Sequence, residues 1–232
     1  MKDKSLLRAQ RAILNLVAGK YPHVYLVGGT AISLLYRHRI SEDLDFFTQR
    51  YSGKLHRDIA AWIESQTGFP SHLIAEEKRR TYVPMAVYEF ETGKDAVLKV
   101  DFVKDIAALI QPRRDDGIAS PEDVYYRKIL AVIGWIAGRS RTGQVLAGGR
   151  QKAKDLFDIF YLSANVLPLS IWFPRHFSRE AYERLAAWYL GVPRQRTVME
   201  LLELVPGCDT KTIFKELDDQ VIHKLNRVYL SL

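Results

Sequence analysis

The chain has 232 residues, 47% of them hydrophobic and 26% charged, which is enough for one large or two small domains with a real core and unlike any disordered tail. A single cysteine, Cys208, excludes an internal disulfide framework and a cysteine-based zinc site. The formal net charge of +7 favours polyanionic partners such as RNA, DNA or nucleotides, although a mild excess also suits binders of small anions.

The first segment, Lys4 to Ala18, spaces Leu6, Leu7, Ile13, Leu14 and Val17 as a helix does. It is broken by charge and lacks the apolar core and cleavage site of a secretion signal. The longest apolar run, "ILAVIGWIAG", falls short of the ~20 residues that span a bilayer, so a cytoplasmic protein without membrane contact is expected. "HVYLVGG" reads as a short buried strand ending in glycines, "TAISLLYRH" as a helix and "DLDFF" as a strand. "LHRDIAAWIESQTG" is a second amphipathic helix, stopped by Gly68 and Pro70. Three strand-like runs follow, "SHLIAEE", "TYVPMAVYEFE" and "AVLKVDFVKD", with a hairpin turn at Thr92 to Asp95 between the last two.

After the charged break "QPRRDDG" the pattern becomes helical. Ser120 as N-cap, Pro121 at the first helical position and acids in the first turn open one helix. Further helices are predicted over Arg150 to Ser163, Ser178 to Leu190, Arg196 to Leu204 and Lys211 to Leu230. The expected fold is α+β: an N-terminal mixed α/β core with a short sheet over 1–115, then a helical domain over 116–232.

Within "DLDFF", Asp43 and Asp45 are two apart and so project from one face of a strand, with Leu44 and Phe46 packed behind. Two like charges among apolar residues are costly unless a cation joins them. Asp101, in the apolar run "LKVDFV", makes a third buried carboxylate in need of a reason. Oxygen-only ligands favour Mg²⁺ or Mn²⁺ over zinc. The plainer alternative caps a turn with these aspartates or pairs them with Arg37 or Arg39.

Upstream, Gly28-Gly29-Thr30 joins a strand to a helix, where backbone amides and a hydroxyl can approach a phosphate, or where a plain tight turn can sit. Together these parts suit phosphoryl chemistry on a nucleotide.

On its helix, Lys128 shares a face with Val124, Ala131, Val132 and Trp135, either snorkelling from the core edge or aimed at a triphosphate. Its neighbour Arg127 stands four after Asp123, as in a surface ion pair. Between Gly138 and Lys154 lie Arg139, Arg141, Arg150, Lys152 and Lys154 without an acid. This glycine-rich stretch could close on a nucleotide or an RNA backbone, or be a solvated loop. Asp155 and Asp158 then share a helix face opposite Leu156, Phe157, Ile159 and Phe160, or simply enrich a helix start, with Lys154 paired to Asp158. The six histidines show no ligand spacing, and the C-terminal aromatics at helical spacing fit a core better than a base-stacking platform.

"GGTAISLLYRHRISEDLDFF" resembles the signature of the DNA polymerase β-like nucleotidyltransferase superfamily. More narrowly, "VGGTAISLLY", "RISEDLDFF" and "KDLFDIF" resemble the AbiEii/AbiGii toxin group. The resemblance implies that Asp43, Asp45 and Asp101 hold the metal and that Ser41 belongs to the active-site loop. It also implies that Lys128 and Asp155 are catalytic-site residues, with Asp158 less firmly placed. The nucleotide would sit in a cleft between the two halves. The implied function is Mg²⁺-dependent transfer of a nucleotidyl group from an NTP to an acceptor hydroxyl, with RNA, such as a tRNA 3′ end, as acceptor. Such a toxin belongs to a toxin–antitoxin or phage-defence system and would have a cognate antitoxin. Transfer to a protein or an antibiotic, or a binding protein that has lost catalysis, are the other readings.

Overall fold

A strand that alternates buried and half-buried residues packs one face and offers the other, and the strand over Leu44–Thr48 and much of that over Met85–Gly93 follow that rule. The computed structural model describes residues 2–78, 82–134, 138–139, 145–146 and 149–230. In it β1 (Tyr25–Val27), β2 (Leu44–Thr48), β3 (Ser71–Glu77), β4 (Met85–Gly93) and β5 (Ala96–Lys104) form a five-stranded sheet in the order β1-β2-β5-β4-β3. Neighbours are antiparallel except β2 and β5, which run parallel.

Leu44, Phe46, Ala86, Tyr88, Val100 and Phe102 are buried on one face of this sheet, with Phe46 stacked on Phe102. Two helices supply the apolar partner: α1 (Lys2–Lys20) packs on α3 (Gly53–Thr67) and on β5. Ser52 caps α3 by accepting from the Leu55 N–H at 3.1 Å, and Gly68, at a φ of 70°, ends it as the sequence predicts. The expected hairpin is present too, with Asp95 left-handed in the turn between β4 and β5.

The chain divides into two compact units, Met1–Val124 and Tyr125–Leu232. The boundary falls in α4 (Pro121–Ile133), whose predicted cap holds: Ser120 Oγ accepts from the Asp123 N–H at 3.0 Å and donates to Asp123 Oδ2 at 2.7 Å. The expected surface pair of Asp123 and Arg127 needs correcting, because both are buried. Asp123 also accepts the N–H groups of Ile110 and Gln111, so the preceding loop folds back over a helix start that the sequence shows as open.

The second unit adds two short strands, β6 (Gly138–Arg139) and β7 (Val145–Leu146), where a loop was expected. Arg141, Trp135 and the side chain of Arg139 lie outside the described residues. Helices α5 (Ala153–Asn165), α6 (Leu169–Trp172), α7 (Arg179–Leu190), α8 (Arg194–Leu204), α9 (Thr210–Leu217) and α10 (Leu225–Leu230) complete it. α6, too short for a periodic signal, brings Trp172 into a stack on Tyr125 with centroids 4.2 Å apart. The helix expected over 211–230 is interrupted by a π-helical stretch, Asp218–Lys224, in which Gln220 accepts the Ser170 N–H at 2.9 Å. Tyr182, Trp188 and Tyr189 are buried, as expected of core aromatics. Among the described residues, no single helix is long and apolar enough to cross a membrane.

Candidate active site

β1 runs directly into α2 (Gly28–Tyr36), two residues earlier than the spacing predicts. Gly28 sits at a φ of +76°, and a Cβ there would lie 2.1 Å from Asp45 Oδ2. A Cβ on Gly29 would lie 2.3 Å from the Arg39 guanidinium and 2.9 Å from Ser41 Oγ. Each glycine therefore vacates the space that a polar group of the site fills. Val27, the N-cap of α2, gives no side-chain cap. The first-turn amides thus face their surroundings without a capping oxygen from that residue.

Thr30 is buried, and its hydroxyl bonds Ser41 Oγ at 2.9 Å and the Asp43 carbonyl. Gln10 Nε2 donates to the Ser41 carbonyl at 2.9 Å, and Ser33 Oγ donates to the Arg39 carbonyl at 2.8 Å. These bonds fasten the 37–43 loop to α1 and α2. The Thr30 hydroxyl thereby clamps the entry to the Asp43–Asp45 strand.

Asp45 and Asp101 are directly paired across the parallel β2–β5 ladder. Paired residues on adjacent strands share a face at a backbone spacing of about 4.8 Å, so strand pairing sets the third carboxylate beside the first two. Asp43 and Asp45 are half-buried, with Leu44 and Phe46 packed behind them as expected. Asp101 is only 7% exposed. Lys99 Nζ donates to its Oδ2 at 2.7 Å, whereas Oδ1 is buried without a hydrogen-bond partner among the described residues. Burial pushes the Asp101 carboxyl above the usual range; Lys99 opposes this and the charge of Asp43 adds to it. The Lys99 ammonium is held above its ordinary value in spite of burial, first by Asp101 and then by Asp43 and Asp45.

Lys99 is the member that sequence reasoning missed. Its signal was the same two-residue spacing that marked Asp43 and Asp45.

Among the described residues, no three His, Cys, Asp or Glu side chains already converge into a metal cage. The donors nonetheless suit a hard dication: all are oxygens, adjacent by register, and one buried carboxylate oxygen lacks a partner.

In the second unit, Lys128 on α4 is buried rather than snorkelling. Its ammonium lies 3.0 Å from Asp155 Oδ1 and 2.7 Å from Asp158 Oδ2. Arg150 grips Asp155 through both oxygens, Nε to Oδ2 at 2.7 Å and Nη2 to Oδ1 at 2.6 Å. The Arg150 N–H bonds the Ala131 carbonyl, and Gly149 passes so close to Val132 that a Cβ would lie 1.7 Å from its carbonyl oxygen. That approach aims Arg150 at α5. Burial works against the charges of Lys128 and Asp155, but their attraction prevails: the lysine is raised and the aspartate lowered. The acidic face of α5 is thus fully buried, and Arg150, at 45% side-chain exposure, is the cluster's open member. Lys154 lies on α5, half-buried.

A comparison with curated proteins finds no match. Among solved structures, a crystal structure of a candidate nucleotidyltransferase from H. pylori superposes with a TM-score of 0.57 at 22% identity, covering 97% of each chain; it supports the fold. MenT4, a nucleotidyltransferase toxin from Mycobacterium tuberculosis H37Rv, gives a TM-score of 0.48 at 13% identity over 96% of this chain and 84% of its own. The family model described as "Nucleotidyl transferase AbiEii toxin, Type IV TA system" matches residues 14–206, a span that contains Gly28, Asp43, Asp45, Asp101, Lys128 and Asp155. The chain belongs to the AbiEii family of nucleotidyltransferase toxins.

Proposed function

We propose that this nucleotidyltransferase moves an NMP from an NTP to a hydroxyl of RNA, a tRNA 3′ end being the preferred class of acceptor, with Mg²⁺ as cofactor. The observation that carries this reading is the pairing of Asp45 with Asp101 on a sheet face where Gly28 leaves room for the Asp45 carboxylate. Asp43, Asp45 and Asp101 would hold the cation, which when bound supplies charge neutralisation on the triphosphate.

The chain's own residues do the positioning. First-turn amides of α2 at Gly28 and Gly29 bind phosphate oxygens, and Thr30 and Ser41 hold the loop that delivers Asp43. Lys128 and Asp155 act as a buried pair that orients Arg150, whose exposed guanidinium, with Lys154, attracts the anionic substrate. The positive charge of the chain supports a polyanionic acceptor, and membership of a type IV toxin family supports a cognate antitoxin.

The test incubates the protein with each α-³²P-labelled NTP, Mg²⁺ and total bacterial RNA. Label on tRNA-sized RNA, absent with Asp45→Asn, is the expected result. Label on protein or on a small molecule overturns the RNA acceptor and leaves the enzyme class standing.

A further inference from the structure

The carboxylate face carries a cation of its own. Lys99 stands two before Asp101 on β5 and so shares its face. The pair is one-sided: the Lys99 side chain is 42% exposed, that of Asp101 9%, and the ammonium takes only one carboxylate oxygen. The other, Oδ1, stays buried and unbonded among the described residues. The charges of Asp43 and Asp45 act on the same ammonium from farther off, after that of Asp101.

Without a metal, this counter-charge offsets the negative charge of Asp101 beside its paired neighbour Asp45. A dication entering the same face meets an ammonium already on Asp101, and two cations contending for one carboxylate repel each other. The four-carbon stem of a half-exposed lysine lets the head group withdraw into solvent without disturbing the strand.

Resting on the reading of Asp43, Asp45 and Asp101 as metal ligands, we propose that Lys99 is a tethered counter-ion. It holds Asp101 in the metal-free protein and yields it when a divalent cation enters, so that the site's metal affinity is set by competition with its own side chain.

The experiment titrates Mn²⁺ into the full chain by calorimetry and records metal-free thermal melts, for wild type, Lys99→Met, Lys99→Gln and Asp45→Asn. Expected is binding to wild type, its loss in Asp45→Asn, and roughly tenfold tighter binding in both Lys99 variants, the gain being moderated by solvent screening. Both Lys99 variants should also melt below wild type without metal and gain more from added Mn²⁺. Lys99 variants that bind no tighter than wild type, while Asp45→Asn abolishes binding, overturn the counter-ion role and leave the metal site intact. Absence of Mn²⁺ binding in wild type and Lys99 variants alike, or wild-type binding by Asp45→Asn, overturns the metal reading and this inference with it.

Discussion

Gly28 and Gly68 both occupy the left-handed region, at φ values of +76° and +70°, and their surroundings differ in one respect. Nothing lies within 4 Å of the Cβ position at Gly68, whereas at Gly28 that position is 2.1 Å from Asp45 Oδ2. Gly68→Ala should therefore cost only left-handed backbone strain, about 1 kcal/mol, which lowers the melting temperature by about 2–4 °C in a chain of this size. Gly28→Ala carries the same strain and must also displace the Asp45 carboxylate. Overpacking of this kind adds about 1–3 kcal/mol, so the combined loss is about 2–4 kcal/mol. The larger effect is on activity, because the displaced group is one of the three site carboxylates: nucleotidyl transfer should fall by about 10²-fold or more. The assay is a pair of melts with transfer rates measured at a temperature where both variants are folded. Equal stability losses in the two variants, with Gly28→Ala still active, would refute the claim that this glycine exists to admit Asp45.

Three further outcomes are expected. Lys128→Met removes the buried ammonium that Asp155 and Asp158 share and should cost about 3–5 kcal/mol in urea unfolding; a loss below 1 kcal/mol would contradict the buried cluster. Thr30→Val removes the clamp on Ser41 and the Asp43 carbonyl and should cost about 1–3 kcal/mol with a larger loss of transfer rate, whereas an unchanged rate would free the 37–43 loop of any role. His56 is buried between Tyr88 and Glu76, with Tyr51 stacked on it and Arg57 also paired to Glu76. Burial pushes its pKa down, against the hydrogen bond to Glu76, so the fold disfavours its protonation relative to the unfolded chain, which takes a proton below roughly 6.5. Stability should then fall as pH drops from 7.5 to 5.5, and His56→Gln should flatten that slope; an unchanged slope would assign the loss to other groups.

Much of the sheet face was legible because it is local. Asp43, Asp45 and their buried neighbours follow a period of two that needs no tertiary information, and Gly28-Gly29 is a plain strand-to-helix turn. Asp101 was visible as a lone acid in an apolar strand, but its pairing with Asp45 spans 56 positions and depends on a parallel ladder that no local pattern encodes. Lys99 escaped because a lysine on a strand reads as solvent-facing until its neighbours are known. The hydrogen bonds of the Thr30 hydroxyl were hidden for a similar reason: the loop that returns to claim it is invisible in the sequence. Asp123 shows the same limit from the other side, a first-turn acid buried by the Ile110–Gln111 segment folding back on it. The π-helical stretch and α6 left no periodic trace, one because it adds a residue within a continuing helix, the other because four residues carry no period.

If the paired carboxylates on β2 and β5 are the catalytic centre, each of them is needed for turnover. Pyrophosphate release from NTP in the presence of acceptor RNA, followed with and without Mg²⁺ for wild type, Asp43→Asn, Asp45→Asn and Asp101→Asn, tests it most directly. The expected result is release by wild type only with Mg²⁺ and a fall of about 10²-fold or more in each variant, with folding intact by circular dichroism. Wild-type rates in any of the three variants would contradict it.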